Sequence, residues 1–375
     1  MRPILLLLAG VLVLSACGGK SKALPPAAAG TPIALRYAAH LTLEEHAGYV
    51  QATLRNPWDT ARVLHTYLLV DKTAALPEGL PAGTVVRTPV CKAVIYSSVH
   101  CSLLQQLDAL GSIGGVCDLK YIKLPAVQDG CRAGSIVDTG DGMSPDIEKI
   151  IDLHPDAILL SPFENSGGYG RIEKLNVPII ECADYMETSA LGRAEWMRFY
   201  GLLFGKRAAA DSLFARVEKE YLALRQLAAT AQAKPTVISD LKSSSAWYIP
   251  GGKSTTAAFY ADAGGRYVFA ADAHSGSVPL AFETVFDKGQ EADFWLIKYN
   301  HPVDKTYGEL EKEYAPYANF RAFRTRHLYG CNTARVSLYE DFPFHPERLL
   351  KDLIFVFHPE LLAGHTLHYY TPLTD

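Results

Sequence analysis

The chain of 375 residues carries 36 basic and 40 acidic side chains, a formal charge of -4, and 49% hydrophobic residues. That length accommodates two core-bearing domains, and the apolar share supplies a full interior for both. The slightly acidic balance, with no basic stripe and no aromatic-basic ribonucleoprotein motif, argues against a nucleic-acid partner.

Arg2 precedes an apolar run from Ile4 to Val13, and Leu14-Ser15-Ala16-Cys17 is followed by Gly18-Gly19. The run is too short to span a bilayer and has the size of a signal-peptide core. The small residues before Cys17 resemble the lipobox of bacterial lipoproteins. That resemblance implies a signal peptide over 1–16, a lipid-modified Cys17 and attachment to a membrane through the lipid alone. Residues 17–32, with Pro25-Pro26 and an Ala run, read as a tether. No other segment is apolar for long enough to cross a membrane, so the expected location is the cell envelope, facing the extracytoplasmic space. Export would place Cys91, Cys101, Cys117, Cys131, Cys182 and Cys331 in oxidising surroundings. Cys117 with Cys131 is the preferred disulfide, stapling a loop that holds Tyr121, Pro125 and Gly130. Without a CxxC pair a structural zinc site is not expected.

Residues 33–90 differ from the rest of the chain. Ile33, Leu35 and Tyr37 alternate, as do Tyr49, Gln51 and Thr53, and Asn56-Pro57 makes a turn before Val63 to Val70. The pattern predicts a small β meander with no evident chemistry. Over 91–205 the rhythm becomes strand and helix in alternation: Ala93 to Tyr96, Cys101 to Leu110, Ile113 to Cys117, a helix with Glu148, Ala157 to Leu160, and Val177 to Ile180. This predicts a parallel sheet with helices on both faces. Residues 206–232 lack Pro and Gly, and Ala209, Leu213, Val217, Tyr221, Leu224 and Leu227 recur near helical spacing. A second βα series fills 233–375, with strands at Thr236 to Leu241, around Trp247, at Phe294 to Lys298 and at His327 to Tyr329, and a closing helix Pro346 to Phe357. The fold class is therefore α/β: two Rossmann-like lobes with parallel central sheets, joined by one long rigid helix and preceded by a β-rich extension.

Two stretches repeat one design. Met143-Ser144-Pro145-Asp146-Ile147-Glu148 leads into Asp156-Ala157-Ile158-Leu159-Leu160, and Val278-Pro279-Leu280-Ala281-Phe282-Glu283 leads into Asp293-Phe294-Trp295-Leu296-Ile297. Each proline is expected to open a short helix with a glutamate in its first turn, where an acid complements the helix dipole.

The order of elements resembles the substrate-binding proteins of bacterial ABC importers for iron chelates, haem and cobalamin. The matching pieces include Ala109-Leu110-Gly111, Glu173-Lys174-Leu175-Asn176-Val177-Pro178-Ile179, Leu203-Phe204-Gly205-Lys206, Tyr248-Ile249-Pro250-Gly251-Gly252, Ala261-Asp262-Ala263-Gly264-Gly265 and Phe357-His358-Pro359-Glu360. The resemblance covers about residues 90 to 362 and leaves 33–90 without a counterpart. It implies a monomeric ligand carrier that serves an ABC permease and its ATPase. It also carries transporter-docking roles to Glu148 and Glu283.

In open α/β sheets ligands bind beyond the carboxyl ends of the strands. The residues expected there are Tyr121, Phe163, Glu164, Asn165 and Tyr169 from the first lobe, and Trp247, Tyr248, Tyr299 and Arg335 from the second. Aromatic walls suit a large flat ligand. Phe163, Trp247 and Tyr248 tilt the choice slightly toward cobalamin or another corrinoid over a ferric siderophore or haem. Any cobalt or iron would be cargo, with no resident cofactor or metal. No GxSxG elbow, HExxH pair or P-loop is present, so an enzyme is not expected. Two alternatives remain: a carrier of bare zinc or manganese recruiting His100, His154 or His274, and a structural surface lipoprotein.

Overall fold

The computed structural model describes residues 30–164 and 168–375, so Cys17 and Asn165 lie outside the described residues. The extension forms a five-stranded sheet from Thr31–Ile33, Leu41–His46, Tyr49–Arg55, Val63–Asp71 and Thr84–Thr88. The first four strands pair antiparallel as a meander, and the fifth joins in parallel. Alternation puts Leu41, Leu43, Ala52 and Leu54 into the core.

This sheet is built onto the first lobe. The Tyr67 hydroxyl donates to the Ile179 carbonyl at 2.9 Å and accepts from the Glu181 N–H at 2.8 Å. Strand Ile179–Glu181 is an edge strand of the lobe's sheet, so Tyr67 satisfies backbone groups that would otherwise lie open. Two buried carboxylates clasp the segment before the second strand. Glu195 accepts from the backbone N–H groups of Arg36, Tyr37 and Ala38 at 2.7–3.0 Å. Glu187 accepts from those of Ala39 and His40 at 2.9–3.0 Å and from the Trp196 indole at 2.9 Å. Glu195→Gln keeps only one acceptor for three N–H groups and is expected to cost about 1–3 kcal/mol. A denaturant midpoint equal to the parent's would show that this clasp carries no stability.

The first lobe's sheet runs Ile179–Glu181, Ala157–Leu160, Ala93–Ile95, Ile113–Val116 and Val137–Asp138, all parallel. Helices on both faces bury every residue of Ala157–Leu160, the uniform apolar run a parallel strand requires. The second lobe's sheet runs Arg266–Tyr267, Thr236–Ser239, Phe294–Tyr299, Leu328–Asn332 and Thr371–Pro372, with only the last antiparallel. Trp247 was expected in this series. It lies instead in a separate antiparallel sheet of Lys242–Ser243, Ala246–Pro250 and Ser277–Leu280.

Helix Arg207–Ala228 joins the lobes, packing on Met197–Leu203 and on the closing helix Pro346–Phe357. Its 22 residues span about 33 Å. Ala210, Leu213, Phe214, Val217, Tyr221, Leu224 and Ala228 are its buried stripe, whereas Ala209, expected there, is exposed one step around the helix.

The repeated design also needs a correction. Pro145 and Pro279 sit in short strands, Ser144–Pro145 and Ser277–Leu280, before the helices they were expected to open. The helices are Ile147–Leu153 and Phe282–Gly289, and each keeps its glutamate, Glu148 or Glu283, exposed in the first turn. Asp146 caps the first of them, accepting from the Lys149 N–H at 3.2 Å.

The disulfide expected between Cys117 and Cys131 is absent, and all six described cysteines are free. Cys117 is buried with Val94, Ile150 and Ile158, its Sγ 3.1 Å from Thr139 Oγ1. Cys131, on helix Pro125–Ala133, packs against the cluster containing Ala93, Ile95 and Leu159. Alternate residues of one strand enter the two clusters, so the thiols belong to opposite faces of the sheet.

Candidate functional site

At the carboxyl ends of the first lobe's strands lies a cavity of about 570 Å³ lined by Tyr96, Asp118, Met143, Ser161, Phe163, Tyr169 and Arg171, among others. Strand Ala93–Ile95 ends at Tyr96 and strand Ala157–Leu160 at Ser161, which places both on the floor. Among the described residues the buried Tyr96 hydroxyl has no hydrogen-bond partner. Burial, then the neighbouring Cys117 thiol, pushes its pKa up, so it stays a neutral donor. Sequence reasoning missed Tyr96, although its position directly after an apolar strand was the signal. Phe163 is half exposed on the wall, a surface a ligand could cover. Tyr169 closes one end, its hydroxyl donating to Glu181 Oε1 at 2.6 Å. Burial and this carboxylate raise the Tyr169 pKa.

The second lobe presents a cavity of about 560 Å³ whose lining includes Asp240, Lys242, Ser243, Tyr248, Ser254, Thr255, Thr256, Ser277 and Lys298. Asp240 follows strand Thr236–Ser239, and Lys298 stands near the end of its neighbour Phe294–Tyr299. Their side chains pair at 3.0 Å. Burial works against the Lys298 charge, but Asp240, then the Tyr260 hydroxyl, outweigh it and raise the pKa. Ser254 caps helix Thr255–Asp262, and its Oγ accepts from the Ala257 N–H at 3.1 Å. Thr255 Oγ1 reaches across to the Glu187 carbonyl of the first lobe at 3.1 Å. The Lys123 ammonium likewise bonds the Thr333 carbonyl, so the lobes touch at more places than the connecting helix. This wall is rich in hydroxyls and carries Lys242 and Lys298, with Tyr248, half exposed, as its aromatic member.

Of the residues expected to meet ligand, the structure brings Phe163, Tyr169 and Tyr248 to these cavities. Trp247 is a correction. It is fully buried, stacked on Trp295 at 5.5 Å, and its indole donates to the Ser239 carbonyl at 3.0 Å. In strand Ala246–Pro250 neighbouring side chains take opposite faces, so exposing Tyr248 buries Trp247. Tyr121 projects into solvent beneath the Lys120 ammonium, 4.9 Å from its ring, and lines neither cavity. Tyr299 accepts from the Lys305 N–H at 3.0 Å and packs over Gly330, away from the second cavity. Arg335 is exposed and paired with Asp304 at 3.1 Å, and Glu164 is exposed in a turn outside the linings. Among the described residues no group of three or more His, Cys, Asp or Glu side chains is arranged to hold a metal. His100 is buried against Asp184 at 3.0 Å, His154 is exposed with a left-handed backbone, and His274 pairs with Asp272 at the surface. No described helix is long and apolar enough to cross a membrane.

Each of the two lobes thus carries a cavity at the carboxyl ends of its strands, and one helix joins them. The sequence model of the periplasmic binding protein family matches residues 94–334, and the chain belongs to that family. An uncharacterised lipoprotein of Methanocaldococcus jannaschii is 24% identical over 297 residues, 76% of this chain and 69% of that protein. A periplasmic haem-binding protein from Pseudomonas aeruginosa superposes with a TM-score of 0.58 at 14% identity, covering 76% of this chain and 99% of the other. The molybdate-binding protein MolA of Haemophilus influenzae does so with 0.57 at 16% identity, covering 75% and 90%. Likeness at such identity shows the shared fold.

Proposed function

We propose that the chain is the extracytoplasmic ligand-capturing subunit of an ABC importer, holding a metal-chelate small molecule between its lobes and delivering it to a membrane permease. The carrying observation is that each lobe has a cavity at its strand ends and an exposed glutamate in the first turn of a helix. Pro145 and Ile147 line the first cavity next to Glu148, and Ser277 lines the second at the start of the strand leading to Glu283. The lipobox-like sequence ending at Cys17 and the lipoprotein relatives support a lipid anchor. Cys17→Ser is expected to release the protein from the membrane fraction or to block its processing.

The ligand preference shifts with Trp247. Its loss from the site leaves Phe163 and Tyr248 of the aromatic set that favoured a corrinoid. Tyr96, Arg171, Lys242, Lys298 and the hydroxyls around Ser254 better suit an oxygen-rich, anionic chelate. We therefore rank a ferric siderophore or haem above cobalamin. Titration with haemin, a ferric trihydroxamate and cyanocobalamin, followed by absorbance, tests this order. Tyr248→Ala should weaken the bound probe by about 1 kcal/mol, about fivefold in Kd. Binding of cyanocobalamin alone would reverse the order, and unchanged affinity in Tyr248→Ala would move the second wall elsewhere.

A further inference from the structure

Beside Tyr169 lies a third cavity of about 460 Å³, lined by residues of the extension and of the first lobe. His65 and Thr84 of the extension face Tyr169, Glu173 and Glu181 across it. Tyr169 lines both this cavity and the ligand cavity, so one residue with an aromatic ring is common to the two. A continuous chain of polar contacts reaches that ring from the extension. His65 Nε2 meets Thr84 Oγ1 at 2.8 Å, His65 Nδ1 lies 3.1 Å from Glu181 Oε2, and Glu181 Oε1 accepts the Tyr169 hydroxyl at 2.6 Å. The Tyr67 hydroxyl braces the backbone of the same glutamate, and the His65 ring stacks on Tyr67 at 4.3 Å. Glu181 is buried, and among the described residues its Oε2 accepts no hydrogen bond, with the His65 ring nitrogen 3.1 Å away. A buried carboxylate so placed keeps its rotamer only while its neighbours hold it.

We infer that the N-terminal sheet is a working part of the ligand site, with His65 as a positioning residue that fixes Tyr169 through Glu181. The inference rests on the transport reading only in taking the cavity at Tyr169 as the ligand's. It gives residues 31–88 a task beyond covering a sheet edge, since the strand that carries Tyr67 also carries His65.

Hydrogen exchange on the full chain without ligand tests it directly. His65→Ala should speed exchange several-fold in peptides spanning Gly168–Leu175, while strands Leu41–His46 and Tyr49–Arg55 keep the parent's rates. His65→Gln, whose amide can keep a polar group against Glu181, should restore slow exchange. Because both act through one contact, His65→Ala should add nothing in a Tyr169→Phe background. Unchanged exchange at Gly168–Leu175 in His65→Ala, or equal acceleration throughout the extension, overturns the inference. With haemin as probe, His65→Ala should also raise Kd several-fold. Failure of haemin to bind the parent counts against the ligand assignment and leaves the exchange result to decide the role of His65.

Discussion

Replacing Glu148 and Glu283 together by Arg is expected to abolish stimulation of the cognate importer's ATPase while leaving ligand affinity and folding intact. Both carboxylates are exposed in the first turn of a helix and point outward from their lobes. A two-lobed carrier meeting a pseudo-symmetric permease needs one contact per lobe, and the resemblance to importer-binding proteins assigns that contact to arginines of the membrane subunits. Charge reversal would then set like charges against each other at two points of the interface. A purely local role predicts a different result. As helix-dipole partners, the glutamates would affect only the stability of two short helices, and those helices are fixed by packing through Ile150 and Val285. Reconstituted importer that responds to the double Arg variant as to the parent would reduce both residues to dipole partners.

Trp247→Ala is expected to destabilise the chain by about 3–5 kcal/mol, as for other large aromatic truncations in a core. The indole is packed against Trp295, Tyr317 and Phe320 at centroid distances of 5.5–5.7 Å. Its N–H satisfies the Ser239 carbonyl at the end of a central strand, so truncation removes a buried hydrogen bond along with the ring. Chemical denaturation monitored by circular dichroism measures the loss. A variant with parental stability but impaired binding would return Trp247 to the ligand site.

The parts of the fold legible in the sequence are those set by periodicity and element order. Ala157–Leu160 reads as a buried parallel strand because it is apolar throughout, and the closing helix Pro346–Phe357 is bounded by its own Pro and by His358-Pro359. The site was less legible for a specific reason: adjacent residues of a strand differ in direction, which residue type alone does not reveal. On this account Trp247 turns into the core while Tyr248, expected beside it in the site, stays at the cavity wall. The position of Tyr299 depends on Lys305 and Gly330, and that of Cys131 on which face its helix covers, both contacts between segments distant in pattern. Tyr96 reads in sequence as the last residue of the strand from Ala93, whereas the strand stops at Ile95 and leaves Tyr96 at the cavity. The prolines of the repeated design were expected to open helices, but both lie in short strands, and the helices begin after Asp146 and Ala281.

Native mass spectrometry of the protein taken from its own cell envelope tests the central claim most directly. A carrier that captures a chelate between its lobes should appear as one polypeptide bearing one small molecule, with the isotope pattern of a bound metal, released on denaturation. Bare polypeptide, from the host and again after incubation with haemin, ferric trihydroxamate and cyanocobalamin, would contradict it.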